Sequence, residues 1–281
     1  MLLRGILLIS ALLAAVICGA CGGFAGIAWL WMLPVGFVGV FLLCVVAALL
    51  FLWIATSVID PRKEQETDSP FYRRLTEEYI QFLLPFLRVR IHTQGMEQMP
   101  QEGRFLLVCN HLNDTDPAVL LHCFRGKQLA FISKRENDSK FIVGKLMRKL
   151  MCQPINREND REALKTILKC ISMIKEDKVS VGVFPEGYVS LDRKLHHFRH
   201  GVFKIAQKAN VPIVVCTLRD TYRIFKNAKR LKPTDVQLHL VGVVPAEELK
   251  GVTAIEVGER VYRMMAEDLG PELVLQDSEN T

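Results

Sequence analysis

A histidine and an aspartate five residues apart, His111 and Asp116, are the side chains of this sequence best placed to do chemistry. The apolar run before them, residues 105–108, predicts a buried strand. Residues 118–121 predict a short helix after them, with Asp116 as N-cap and Pro117 at the first helical position. Both side chains would then lie at the carboxyl end of a strand, where open α/β sheets place their chemistry.

A histidine in that position can take a proton from a hydroxyl group at neutral pH. A carboxylate bonded to its far ring nitrogen would hold the ring in the required tautomer, as in a protease triad. Asp116 fits this role, and Asp114 is a second candidate because it is close in the chain. The alternative is a surface histidine in a polar turn, so the pair needs support from the rest of the chain.

Three downstream segments supply that support. They are Pro154-Ile155-Asn156-Arg157, Val183-Phe184-Pro185-Glu186-Gly187 and Val211-Pro212-Ile213-Val214. Together with Asn110, His111 and Asp116, these segments resemble in order the four motifs of the glycerolipid acyltransferase family, and of the 1-acylglycerol-3-phosphate acyltransferases in particular. The resemblance extends over residues 75–245.

The resemblance implies acyl transfer from a thioester, either acyl-CoA or an acyl carrier protein, to the free hydroxyl of 1-acylglycerol 3-phosphate (lysophosphatidate). In that reading His111 is the base and Asp116 orients it, while Glu186 and Gly187 serve the acceptor site and order the loop. Arg157 is the fork that binds the acceptor's phosphate. The reading includes a lipid membrane as partner, and no cofactor, metal ion or nucleic acid.

The third motif departs from the family pattern. The family continues with Thr-Arg-Ser after the glycine, whereas this chain has Tyr188-Val189-Ser190, so valine replaces the expected arginine. Arg193, four residues further along the same loop, is the candidate to replace that charge. The departure keeps other acceptors open, namely another lysophospholipid or glycerol 3-phosphate. The absent arginine also leaves open a lipid-binding relative of the family that has no turnover. A third class of protein is a lysophospholipid or thioester hydrolase, in which water replaces the alcohol.

Other site types lack their signatures. Gly182 and Gly187 have phosphate-loop spacing, but Tyr188 and Val189 replace the required Lys-Ser/Thr, and no Gly-x-Ser-x-Gly elbow occurs. The eight cysteines show no metal spacing. His196 and His200 are four residues apart and could bind a metal on a helix, although a solvated pair is favoured.

The first fifth of the chain is strongly apolar, with no charged side chain between Arg4 and Asp60. This stretch is far longer than a bilayer core of roughly 30 Å requires. It predicts two spans, near residues 5–28 and 36–58, with the turn between them over residues 29–36. A cleaved signal peptide is the alternative for the first 22 residues, but a second apolar segment follows at once. Basic residues flank both spans and predict that both ends face the cytoplasm.

Beyond the apolar stretch, strands alternate with helices, which predicts an α/β fold with a largely parallel sheet covered by helices. We therefore expect a two-helix transmembrane hairpin over residues 1–59, a linker over 60–70, an α/β acyltransferase domain over 71–270 and a loose tail over 271–281. An amphipathic helix over residues 71–86 is expected either to pack on the domain or to lie in the membrane interface. The net charge of +6 is mild and excludes no class of partner.

Overall fold

A computed structural model describes residues 2–60, 63 and 65–275 of the chain. The chain divides into two compact units, with the division between residues 64 and 65.

The first unit is a pair of apolar helices, α1 (Leu2–Ala20) and α2 (Trp29–Ser57), each long and apolar enough to cross a membrane. They pack on one another through small residues, since a β-carbon added to Gly36 would lie 3.5 Å from the β-carbon of Ala14. Most of their large apolar side chains face outward and are exposed.

The connection between α1 and α2 lies earlier than the sequence predicts. It covers residues 21–28, whereas residues 29–36 belong to α2. Glycines explain the shift: Gly22 adopts φ +68°, and a β-carbon on Gly23 would lie only 2.7 Å from the Cys18 sulfur. The prediction for residues 29–36 rested on Pro34 and Gly36, both of which the helix tolerates.

The second unit is a seven-stranded sheet in the order β1-β7-β6-β2-β5-β3-β4. Strands β6, β2, β5, β3 and β4 are mutually parallel, while β7 runs antiparallel to β6 and pairs in parallel with β1 at the edge. The strands are β1 (Val89–Gln94), β2 (Leu106–Cys109), β3 (Leu129–Lys134), β4 (Gln153–Ile155), β5 (Ser180–Val183), β6 (Ile213–Arg219) and β7 (Thr234–Val244).

Helices cover both faces of this sheet, which confirms the predicted α/β class. They are α3 (Pro70–Phe86), α4 (Asp116–Cys123), α5 (Phe141–Lys149), α6 (Asp160–Lys175), α7 (Lys204–Ala209), α8 (Ile224–Ala228) and α9 (Ala254–Leu269). Strand β2 illustrates burial on both faces of the sheet. Its Leu106 and Val108 join the core on one face, and its Leu107 and Cys109 join the core on the other. A strand buried on both faces is apolar throughout, as residues 105–108 are.

The ends of the second unit differ in detail from the sequence prediction. Asp68, inside the expected linker, forms a buried ion pair with Arg73 at 2.5 Å, so this part of the segment packs with the domain. Helix α3 buries Leu75, Ile80 and Leu84. At the other end, the Leu195 N–H donates to Leu273 O at 2.7 Å, which joins residue 273 to the second unit. Residues 276–281 of the expected tail lie outside the described residues.

Candidate active site

The loops that follow β2 and β5 meet at the carboxyl edge of the sheet. The two strands are adjacent and parallel, with Val108 opposite Val183, and β6 flanks β2 on its other side. His111 follows β2 by two residues, and Glu186 follows β5 by three. The topology therefore brings the first and third motifs to one place.

His111 and Asp116 form the central pair of this edge. His111 Nδ1 lies 2.8 Å from Asp116 Oδ2, and the same oxygen accepts the backbone N–H groups of Leu112 at 2.6 Å and Asn113 at 2.8 Å. Since Oδ2 is an acceptor, Nδ1 carries the ring proton, which leaves the Nε2 lone pair available. The His111 side chain is 14% exposed and Asp116 is fully buried. The Phe184 ring stacks on the imidazole with its centroid 4.1 Å away.

The structure corrects the predicted role of Asp116 at the helix start. Thr115 occupies the N-cap position of α4, and Asp116 is the first helical residue. The carboxylate turns back toward the preceding loop because three N–H donors converge there. Asp114, the other candidate orienter, is exposed, and the contact with Nδ1 belongs to Asp116.

Asn110 holds the loop from the opposite side, a role that the sequence analysis missed. Its Nδ2 donates to Leu218 O at 3.0 Å, and its Oδ1 accepts the Leu218 N–H at 2.7 Å. The side chain thus imitates a pair of strand hydrogen bonds and joins the end of β2 to β6. No local pattern reveals this, because the partner is 108 residues away.

Glu186 fixes the backbone of the base. Its Oε1 accepts the His111 N–H at 2.9 Å and its Oε2 accepts the His196 N–H at 3.0 Å, while the side chain is 1% exposed. Burial raises the pKa of Glu186 to about 8, although the two backbone N–H groups favour its ionised form. Because each oxygen accepts a backbone N–H, Glu186 orders the loop that carries His111.

Two guanidinium groups converge on Gly187, which adopts φ +85°. A β-carbon placed there would lie 3.1 Å from Arg199 Nε and 3.9 Å from Arg157 Nε. Burial lowers the pKa of Arg157, and the like charge of Arg199 lowers it further, while Glu136 acts in the opposite direction. Among the described residues, neither guanidinium has an ion pair or a side-chain hydrogen bond.

Arg193 lies elsewhere. Its backbone has φ +70°, and its guanidinium carbon lies 4.2 Å from the centroid of the Tyr222 ring. Arg199, ten residues after Val189, is therefore the guanidinium beside Arg157. The sequence signal for Arg199 was only a basic residue between the third and fourth motifs, which is too common to single out.

The alternative chemistries have little support in the structure. Burial raises the pKa of Cys109 well above its usual range, which leaves its thiol inert as a nucleophile. His196 and His200 bond different carboxylates, Asp192 at 2.8 Å and Glu259 at 3.2 Å. Within the ranges that the structure describes, no group of three His, Cys, Asp or Glu side chains is placed to hold a metal ion.

A histidine held by a buried carboxylate beside two unpaired guanidinium groups suits a group-transfer enzyme whose substrate has both a hydroxyl and an anionic group. The comparisons are consistent with this class. A family model described as Acyltransferase matches residues 90–219, which include both motif loops, Arg157 and Arg199.

Relatives and a solved structure agree with the family match. The chain is 32% identical over 219 residues to a 1-acyl-sn-glycerol-3-phosphate acyltransferase of Chlamydomonas reinhardtii, covering 72% of this chain and 61% of that protein. It is 32% identical over 160 residues to the chloroplastic 1-acyl-sn-glycerol-3-phosphate acyltransferase LPAT1 of Arabidopsis thaliana, covering 54% of this chain and 44% of that one. The 1-acyl-sn-glycerophosphate acyltransferase PlsC of Thermotoga maritima shares the fold, with a TM-score of 0.60 and 21% identity. The match covers 78% of this chain and 86% of that one.

Over residues 90–219 the chain is similar to the acyltransferase family. It spans about half the length of the curated relatives it matches.

Proposed function

We propose that this protein is a membrane-bound acyltransferase that moves a fatty acyl group from a thioester to the free hydroxyl of 1-acylglycerol 3-phosphate, which yields phosphatidate. The observation that carries the proposal is the His111–Asp116 pair, with Nε2 unbonded among the described residues, beside the Arg157–Arg199 pair. The names of the relatives point to the same acceptor.

The chemistry needs a single base. His111 Nε2 takes the proton of the acceptor hydroxyl as its oxygen attacks the thioester carbonyl carbon. The tetrahedral intermediate collapses, the carbon–sulfur bond breaks, and the imidazolium returns the proton to the departing sulfur. Asp116 stabilises the imidazolium during this interval, and Glu186 holds the His111 backbone in place. The thioester is already activated, so no covalent acyl-enzyme is required.

The acceptor's phosphate would bind between Arg157 and Arg199. Two like charges held near Gly187 repel one another, and the partial burial of Arg157 increases the cost. A phosphate dianion between them relieves both effects and can accept hydrogen bonds from each fork. Gly187 leaves this space open, since a β-carbon there would press on Arg199. Arg199 therefore supplies the charge that Val189 does not, in place of Arg193.

Replacement of either arginine should weaken acceptor binding. We expect Arg157→Gln and Arg199→Gln each to raise the KM for lysophosphatidate roughly 10- to 100-fold, the equivalent of one charge-assisted hydrogen bond of about 1.5–3 kcal/mol. The KM for the thioester donor should stay within about twofold, because no donor phosphate is expected at this pair. Steady-state kinetics with each substrate varied in turn make the measurement.

Arg263→Gln is the control, because it removes an exposed arginine, like Arg199, from the outer face of α9. If Arg193→Gln raises the lysophosphatidate KM while Arg199→Gln does not, Arg193 is the replacement arginine after all. If none of the three changes it, the acceptor is not held by its phosphate.

The function itself is tested by incubating membranes that contain the full chain with a labelled acyl thioester and a panel of acceptors. The panel holds lysophosphatidate, other lysophospholipids, glycerol 3-phosphate and no acceptor. Preferred labelling of lysophosphatidate supports the proposal. Preference for another acceptor reassigns the substrate, free fatty acid without an acceptor identifies a hydrolase, and no product with any acceptor identifies a lipid-binding relative.

The proposed location is a membrane, with two spans and the catalytic domain on the cytoplasmic side. Helix α1 is about 29 Å long, close to the roughly 30 Å thickness of a bilayer core. Arg4 and the basic residues from Lys63 onward flank the spans, and the connection over residues 21–28 has no charge.

We expect the full-length protein to stay with membranes through washes at high salt and at alkaline pH, because apolar spans and not surface charge would hold it. A protease added to the cytoplasmic side should cleave the second unit, and one confined to the opposite side should not. Release by salt alone, or the reverse protection pattern, would overturn the proposed location.

A further inference from the structure

A second cationic site lies beside the loop that contains Arg193. Its cavity of about 410 Å³ is formed by that loop and by the segment after β6. We call it the basic pocket; its principal side chains are Arg193, Tyr222, Arg223, Lys226, Arg230 and Lys232.

The positive charge of the basic pocket is largely uncompensated. Arg223 has a partner, Asp220, at 3.0 Å. Lys226, Arg230 and Lys232 have no ion pair within the described part of the chain, and no carboxylate lines the cavity there. Five cations around one concavity favour a ligand with several negative charges over a ligand with one.

Tyr222 holds two of these cations in place. The Arg193 guanidinium lies over its ring at 4.2 Å, and Arg223 Nε donates to its hydroxyl at 2.8 Å. Cation–π and hydrogen-bond contacts of this kind limit the freedom of both side chains before any ligand arrives. The pocket therefore has an organised wall in addition to its excess charge.

Two hydrogen-bonded connections limit the distance between the basic pocket and His111. The Ser190 N–H donates to His111 O at 2.8 Å, and Arg193 follows three residues later, a reach of at most ~11 Å. Leu218 is bonded to Asn110, and Tyr222 follows four residues later, at most ~14 Å away. Neither Arg157 nor Arg199 lines the cavity of the basic pocket, so the structure has two groups of cations for a reaction with two substrates.

We propose that the basic pocket binds the phosphorylated nucleotide end of a coenzyme A thioester. This inference rests on the proposed function and specifies its donor. Coenzyme A carries a pyrophosphate and a further phosphate on its ribose, which match five cations in a concave site. Its long flexible arm lets the thioester reach His111 from a pocket offset along the sheet edge. The single phosphate of lysophosphatidate is already served by Arg157 and Arg199.

Two other occupants are weaker candidates. An acyl carrier protein would present its acidic residues on a convex surface, which fits a recessed pocket less well than a nucleotide does. An anionic membrane surface has some support, because Leu231 is 75% exposed and Phe225 is 49% exposed next to the cations. The experiment separates these cases by the donor and by the lipid.

The test uses the full-length protein with Lys226, Arg230 and Lys232 all changed to glutamine. We expect the KM for acyl-CoA to rise at least tenfold, with the KM for lysophosphatidate and kcat at saturating donor unchanged. An acyl-pantetheine donor, which lacks the nucleotide, should give the same kinetics with both proteins. The matched control changes Lys204, Lys208 and Arg263 to glutamine, which removes three exposed cations elsewhere.

Direct binding keeps the pocket and the proposed function separately testable, since it needs no turnover. Wild-type protein should bind coenzyme A more tightly than dephospho-coenzyme A, and the triple variant should lose that difference. The proposal is overturned by an unchanged acyl-CoA KM, by equal changes with acyl-CoA and acyl-pantetheine, or by a defect confined to an acyl carrier protein donor or to vesicles that contain anionic lipid. Absence of acyl transfer in wild-type protein, with nucleotide binding intact, would overturn the enzyme function alone.

Discussion

His111→Ala is expected to lower kcat for acyl transfer by about 10²- to 10⁴-fold, the usual contribution of a positioned general base. The reason is geometric: Nδ1 is held by Asp116 at 2.8 Å, the His111 N–H is held by Glu186 at 2.9 Å, and Nε2 is the ring atom left to accept a proton. Alanine keeps the backbone bond to Glu186, so the loop should persist. The KM values should change little.

The chain contains a matched control for this variant. His92 Nε2 lies 3.0 Å from Asp235 Oδ1, but both side chains are more than half exposed at the edge formed by β1 and β7. His92→Ala removes a histidine of the same kind of pair, yet it should leave kcat within about twofold, because exposed ion pairs contribute little. Near-normal turnover by purified His111→Ala protein would end the mechanism proposed here.

The His111–Asp116 pair could be predicted because the chemistry is local. Five residues across one turn determine whether a carboxylate can reach a histidine ring, and the apolar run before them indicates a buried strand. Helix α9 is local in the same sense, because Thr253 and Glu256 form a capping box at its start and Val257, Val261 and Met265 recur on its buried face.

The parts that could not be predicted depend on contacts between distant segments. Asn110 joins Leu218 only because β2 and β6 are neighbours in the sheet. Strand β4, three residues long, is too short to produce a periodic signal. Residues 200–209 form a 3₁₀ turn followed by α7 and not one continuous helix.

The proposed exchange of Arg193 for Arg199 as the replacement arginine shows the same limit. Arg193 was chosen because it is near Val189 in the chain, yet a loop folds back on itself and distance along it says little about distance in space. The Arg199 N–H donates to Pro185 O at 2.8 Å, which returns the chain to the third motif and places the Arg199 side chain next to Gly187. Arg193 is carried outward to Tyr222 instead.

Asp116→Asn should reduce kcat less than the same change does in a serine protease triad. There the amide group imposes the wrong histidine tautomer and the loss is roughly 10⁴-fold. Here Oδ2 accepts two backbone N–H groups as well as Nδ1, whereas Oδ1 is buried with no hydrogen-bond partner in the described part of the chain. The asparagine carbonyl must therefore take the Oδ2 position, where it still accepts the Nδ1 proton and preserves the tautomer.

What the asparagine variant loses is the negative charge that stabilises the imidazolium. A charge-assisted hydrogen bond of about 1.5–3 kcal/mol corresponds to a kcat roughly 10- to 100-fold lower. The new NH₂ group lies where Oδ1 was, without an acceptor, so the unfolding free energy should fall by about 1–3 kcal/mol. Turnover, a denaturation midpoint in detergent and the nitrogen chemical shifts of the His111 ring test these expectations together. A 10⁴-fold loss with Nδ1 unprotonated would show that the amide had flipped, as in the triad. An unchanged kcat would show that the carboxylate positions His111 without assisting its charge.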